Sequence, residues 1–240
     1  MFQYEYLVYT PAFYFLVAFT LALTFGYIFG RRFNRRVVMT ALDPLVQVFN
    51  ARDQQFTNIG GQTGYHANIV PGNMRSVRRI DTTLTILPRQ SLLYLPISLL
   101  IRRFDRMQTF FVFNKRGTVI REEAHLIDSR FEKMMGNRIE NAASLNREDV
   151  VWGGRKFHLY SASPVSRKWI QNLMNRMGQV DTVRHAGVIP GEERAYLFLI
   201  PKVGTVADRM TEFRDWLEET AHAASGRHAE GAESGGGGDA

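Results

Sequence analysis

Glu122, Glu123 and His125 lie close enough along the chain to share a proton or a cation. In an extended stretch, residues 123 and 125 point to the same face, so one carboxylate meets one imidazole. Such a pair can move protons. Two ligands do not make a metal site, and none of His66, His125, His158 and His185 falls in an HExxH or HxH pattern. No metal and no other cofactor is expected. Asp81 and Asp105 sit among apolar neighbours. Carboxylates in such places call for arginine partners, with Arg79, Arg102, Arg103 and Arg106 in reach, and structural ion pairs are the expected outcome. The candidate catalytic residues are therefore Asp81, Glu122, Glu123 and His125.

Other chemistries are excluded more firmly. The chain has no cysteine, which removes disulfides, thiolate metal sites, iron–sulfur clusters and a thiol nucleophile. The glycines at 60, 61 and 64 lack the following Lys-Ser/Thr of a phosphate-binding loop and the spacing of a dinucleotide fingerprint, so they read as a turn. No GxSxG, SxxK or kinase signature occurs. Ser161, Ser163 and Ser166 flank a helix start, where serine caps. Tyr196 and Phe198 share a strand face, but the aromatic-basic pattern of an RNA-binding sheet is missing, and no nucleic acid is expected.

Arginine is the residue type with the clearest placement. The formal charge is +7, of which residues 1–120 carry +9 and residues 121–240 carry −2. Arg31, Arg32, Arg35 and Arg36 immediately follow residues 7–29, an uncharged apolar stretch of 23 residues. About 20 apolar residues cross a bilayer as a helix, so residues 7–30 are expected to span one. A cleaved leader is not expected: the residues before the stretch include an acid and no base, and the stretch is too long. Arginines on one flank only place that flank in the cytoplasm. The expected arrangement is a single-pass protein of the inner (plasma) membrane, with residues 1–6 outside. Gly26 and Gly30 form a small-xxx-small pair that can bring two such helices together. Arg75, Arg78, Arg79, Arg89, Arg102, Arg103 and Arg106 add to the basic half and are candidates for contact with anionic lipid headgroups or an acidic partner.

The elements that must position these residues follow from periodicity. Residues 31–54 read as a basic juxtamembrane segment in which Asp43-Pro44 opens a new short helix. Residues 55–221 read as one cytoplasmic domain, or as two units at 55–150 and 151–221. Within it, residues 65–70 and 77–87 are neighbouring strands, and residues 107–114 and 118–127 form a hairpin. Residues 91–101 carry no charge between Arg89 and Arg102-Arg103. Two readings stand: a core segment, as most short apolar runs are, or a segment lying in the membrane interface. Residues 155–221 alternate as β-α-β-β-α, most of a ferredoxin-like split pattern. Residues 222–240 are rich in Ala, Gly, Ser, His and Glu and are expected to stay disordered.

The fold class expected is α+β: one transmembrane helix, then an antiparallel-sheet domain with a ferredoxin-like unit. The function expected is a non-catalytic interaction, scaffold or accessory module at an anionic membrane surface, its partner another protein or a second copy. The alternative is a membrane-tethered enzyme or ligand-sensing domain for a phosphate-bearing or lipidic small molecule.

Overall fold

The computed structural model describes residues 10–135, 139–178 and 180–234. The expected outer N-terminus at 1–6 and the first residues of the span lie outside this range.

Helix α1 (Pro11–Val48) is 38 residues long, with proline in its first turn. Its outer half is exposed and apolar, with a mean hydropathy of 2.0 over an 18-residue window and none of that window buried. It is long and apolar enough to cross a membrane. The inner half changes character at Gly30. Gly30, Asn34, Val37, Ala41, Leu42 and Leu45 are buried and recur at three- and four-residue steps, one face of a helix. The new helix expected at Asp43-Pro44 is corrected: Pro44 lies inside α1. A proline removes one backbone hydrogen bond. Here Ala41, Leu42 and Leu45, at most 4% exposed, hold the backbone helical on both sides of it.

Nine strands follow: β1 (Asp53–Asn58), β2 (Gly64–Val70), β3 (Val77–Thr85), β4 (Arg106–Phe113), β5 (Ala124–Asp128), β6 (Asn146–Trp152), β7 (Arg155–Ser161), β8 (Val183–Ile189) and β9 (Arg194–Leu199). They form one sheet in the order β1-β2-β3-β4-β9-β8-β5-β7-β6, antiparallel at every pairing. Helices α2 (Leu95–Arg102), α3 (Ser129–Met135), α4 (Pro164–Arg176) and α5 (Val206–Ser234) complete the chain.

The alternation expected of a half-buried strand is clearest in β4, where every second residue is buried. The buried face packs against the inner half of α1, α4 and α5. Phe49, Phe111, Phe213 and Trp216 run through this core as a chain of ring contacts at 5.8, 5.0 and 5.0 Å. Ser163 caps α4 through a reciprocal bond with Ser166, as its sequence position implies. On the opposite face a smaller cluster of Ile127, Phe131, Ile139, Tyr160 and Phe198 lies under α3.

Two further expectations are corrected, the hairpin at 107–127 and the structureless residues 222–234, and one is not confirmed. Residues 118–127 do not return beside β4; they turn at 117–119, and β5 crosses to a place between β8 and β7, leaving β9 to pair with β4. The sheet order does not confirm the ferredoxin-like unit. Such a unit would place β9 between β7 and β8, whereas β5 lies there and β9 lies beyond β8. Helices α3 and α4 also sit on opposite faces, since Ile127 meets Phe131 while its neighbour Leu126 shares the core with Trp169. Residues 222–234, expected without structure, continue α5; the alanines and glutamates there are good helix formers.

Candidate functional site

The end of the domain next to the apolar half of α1 is built by α1 and the segment between β3 and β4. Asp105 Oδ1 accepts from the Leu87 amide at 2.8 Å and from Arg89 at 3.0 Å, and its Oδ2 accepts from Arg89 at 2.8 Å. Arg89 also donates to Asn34 Oδ1 at 3.1 Å and stacks 4.8 Å over Phe33. Asn34 Nδ2 donates to the Leu87 carbonyl and to Gln90 Oε1, both at 2.8 Å. This two-pronged ion pair fixes the segment to α1. Asp105 thus takes Arg89 as its partner, not one of the four arginines expected from sequence, and Arg89 is not available to lipid.

Gly26 and Gly30 serve the same attachment. A Cβ at residue 30 would lie 2.1 Å from the Arg89 carbonyl oxygen, and one at residue 26 would lie 2.3 Å from Leu92. The small-xxx-small face expected to receive a second helix is occupied by the chain's own segment.

That segment then exposes its apolar side chains. Leu93, Tyr94, Ile97, Leu99, Leu100 and Ile101 are exposed, Leu100 at 79%, and the single buried residue of α2 is Ser98. Of the two readings of 91–101, the core one is overturned. A helix whose apolar residues face outward has no protein to bury them in. Leu92 meets Gly26, five residues before Arg31, so the turn leading into α2 lies about 7.5 Å of helix rise from Arg31 on the apolar side.

The arginines divide into two groups. Arg31, Arg32, Arg35 and Arg36 on α1, with Arg102 at the end of α2 and Arg103 after it, are exposed at this end. Arg106 begins β4 beside them and stacks on Phe104. Arg75, Arg78 and Arg79 belong to the far end. Asn73 bonds the Val48 carbonyl whereas Arg89 bonds Asn34, and those 14 residues of α1 amount to about 21 Å. That is roughly two Debye lengths at physiological salt, so the two groups do not act as one patch. Arg79 is also paired with Asp81 at 2.9 Å.

The candidate catalytic residues do not assemble. Asp81 on β3 and His125 on β5 are four strand spacings apart, about 19 Å. Glu122 turns to the start of α4, where Ser163 Oγ and the Ser166 amide donate to it. Glu123 and His125 do pair on one face, at 2.9 Å, and Asn141 donates to the second Glu123 oxygen at 3.1 Å. The His125 hydrogen bond, with that of Asn141, holds the Glu123 carboxyl below the usual range despite its partial burial. Sixty residues on, His185 brings its Nε2 within 3.2 Å of His125 Nδ1 and stands edge-on to Tyr196 at 5.0 Å. Gly187 makes room for this array, since a Cβ there would lie 2.4 Å from His125 Nδ1. His125 is 2% exposed. The array is a carboxylate–imidazole–imidazole chain between strands, with both imidazoles buried and the Glu123 carboxylate partly so, in the proton-sharing geometry the sequence implied. Beside it, burial and the Glu132 carboxylate push the Tyr160 hydroxyl up to about 12.

Among the described residues no group of three or more His, Cys, Asp and Glu is placed to hold a metal ion. Asn34, Gln90 and His185 were not legible as site residues, because each acquires its partner across 50 or more positions of chain.

In comparisons with known proteins, no family model matches the chain and no curated protein matches it.

Proposed function

We propose that this is a single-pass, membrane-anchored protein whose domain is held at an anionic, cytoplasmic membrane face as a non-catalytic interaction or scaffold module. The observation that carries the reading is α2: apolar, outward-facing, fixed to α1 beside the last turns of the span, and closed by Arg102 and Arg103. Each such Leu or Ile contributes roughly 1–2 kcal/mol on leaving water. Interfacial helices lie about 5–10 Å into the headgroup boundary, which matches the level of Leu92. The membrane-end arginines sit where anionic headgroups attract them. The domain therefore has two contacts with the bilayer, the span and α2, and a fixed orientation between them.

For the partner, the edge strand β1 is exposed at all six residues and leaves one side of its backbone without a strand. Open edges of this kind accept a strand from another chain or a second copy. The dispersal of Asp81, Glu122 and the Glu123–His125 pair over separate places supports a binding role over a tethered enzyme.

The chain has no cysteine, so Leu100→Cys provides a unique label site. With an environment-sensitive dye there, the full-length protein in anionic vesicles should show a blue-shifted, lipid-quenchable emission, and a dye at Arg78→Cys should report water. A water-like signal at residue 100 would end the interfacial reading. Purification in mild detergent tests the partner: a stoichiometric second protein, or a homodimer lost on introducing proline into β1, is expected; a monomer without companion argues for the tethered enzyme.

A further inference from the structure

Between the middle of α1 and the tip of the β1–β2 hairpin lies an open-sided cavity of about 820 Å³. Tyr27, Arg31 and Arg35 form its helix wall, and Asn58, Gln62 and Tyr65 form the hairpin wall. Arg32 also lines it, and no Asp or Glu does. None of the ion pairs among the described residues engages Arg31, Arg32 or Arg35. The contrast with Arg89, one helical face away and bound twice to Asp105, is direct. Three guanidiniums turned to one space without a counter-charge repel one another, and an anion seated among them removes that repulsion. Guanidinium forks match phosphate oxygens in pairs.

Two further features define the anion. Gln62 Oε1 is buried in the hairpin wall and has no hydrogen-bond partner. It needs a donor, which a phosphodiester by itself does not bring and a headgroup hydroxyl does. The cavity also reaches from Val38 down to Ile28, inside the apolar half of α1, so it runs from the domain to the acyl level. Its volume lies within the range of sites that enclose a small ligand, and basic pockets at the cytoplasmic ends of spans suit anionic headgroups.

We infer that this cavity holds the headgroup of one anionic phospholipid that carries a free hydroxyl. Its phosphodiester lies between Arg31 and Arg35, its hydroxyl donates to Gln62 Oε1, and its acyl chains pass along α1 beside Ile28. The inference rests on α1 being a membrane span. It differs from general electrostatic attraction in its stoichiometry and in its selectivity between headgroups.

The test uses the full-length protein in mixed micelles of phosphatidylglycerol and phosphatidylcholine, with bound lipids counted by native mass spectrometry. One phosphatidylglycerol per chain is expected, retained over phosphatidylcholine by roughly tenfold or more. Phosphatidylcholine offers no donor to Gln62 and carries a cation toward the arginines. Arg31→Gln/Arg35→Gln should abolish the preference, Gln62→Leu should weaken it, and Arg75→Gln/Arg78→Gln at the far end should leave it unchanged. Arg35→Lys, which keeps the charge, should retain part of it and guards against misfolding of the double variant. Equal retention of the two lipids, or an unchanged preference in the arginine double variant, overturns the site. Glycerophosphoglycerol bound as tightly as the intact lipid overturns the lipid assignment in favour of a soluble phosphate ester. Carbonate extraction of the same membranes separates the two levels of failure. A wild-type chain released by carbonate removes the span itself; a chain that stays while showing no headgroup preference removes only this site.

Discussion

Helices α2 and α4 are built from similar parts and end in opposite environments. Both carry proline in the first turn and arginine in the last. In α4 the apolar residues fall on a stripe, with Trp169, Ile170 and Leu173 buried against the sheet and α5 and the charged residues outward. In α2 the apolar residues cover all of the helix but the side of Ser98 and Arg102, and the one buried residue is that serine. A buried apolar stripe specifies which side of a helix meets its neighbours. A helix that turns its narrow polar side to the protein specifies only that its broad apolar side leaves water, and the rest of the fold decides into what.

The comparison can be broken by stability measurements on the full-length protein in micelles. Trp169→Ala should cost about 3–5 kcal/mol of domain stability in urea unfolding, as a core truncation does. Leu100→Ala should change it by less than about 0.5 kcal/mol. A loss at residue 100 approaching that at residue 169 would return α2 to the core. The attachment of α2 comes next in size. Asp105→Ala leaves the Arg89 guanidinium without its partner and should cost about 3 kcal/mol, and it should free α2 to move, seen as faster hydrogen exchange over residues 88–104. Gly30→Ala presses a methyl onto the Arg89 carbonyl and should cost about 1–3 kcal/mol, while Gly191→Ala, with open space around it, should be nearly silent. No difference between the two glycines would mean that α2 is not seated on α1.

The smallest effect concerns the Glu123 array, a polar counterpart to these apolar contacts. A carboxyl whose folded pKa is depressed contributes stability above its unfolded value, and that stability is lost as pH falls through the folded value. Glu123→Gln should therefore lower the unfolding midpoint at neutral pH and flatten its decline below about pH 4.3, so that the two proteins converge in acid. Parallel acid limbs for the two proteins would show that His125 gives Glu123 no special hold.

Local pattern made much of this architecture legible. The apolar half of α1, the alternation in β3 and β4, the Ser163 cap and the stripes of α4 and α5 are each contained within a single element. What failed was non-local. Strands β1 and β6 are the sheet edges, polar on the outside, so neither alternates strongly enough to announce itself. The β4–β9 pairing joins residues more than 80 positions apart, and nothing in the turn after Phe113 encodes it. The arginines looked like one patch because sequence gives their number and not their height along α1. Asp105 found Arg89 because the chain folds back at Leu87, a geometry that three arginines closer in sequence, Arg102, Arg103 and Arg106, disguised. Glu123 and His125 were paired correctly from alternation alone, but His185, the group that extends the array, comes from another strand.

With the membrane anchoring and partner proposed above, the unbroken passage of α1 from its apolar half into the core turns the helix into a lever. Nothing between Phe29 and Val37 acts as a joint, because Gly30, Asn34 and Val37 are all packed. Spans tilt by about 20° on average, and a stiff arm of 19 residues, about 28 Å, carries its far end sideways by about 10 Å at that angle. A thinner bilayer, by tilting the span further, would swing the β1 edge and the far arginines across the membrane plane. The mount thereby converts lipid thickness into the bearing at which a partner is met.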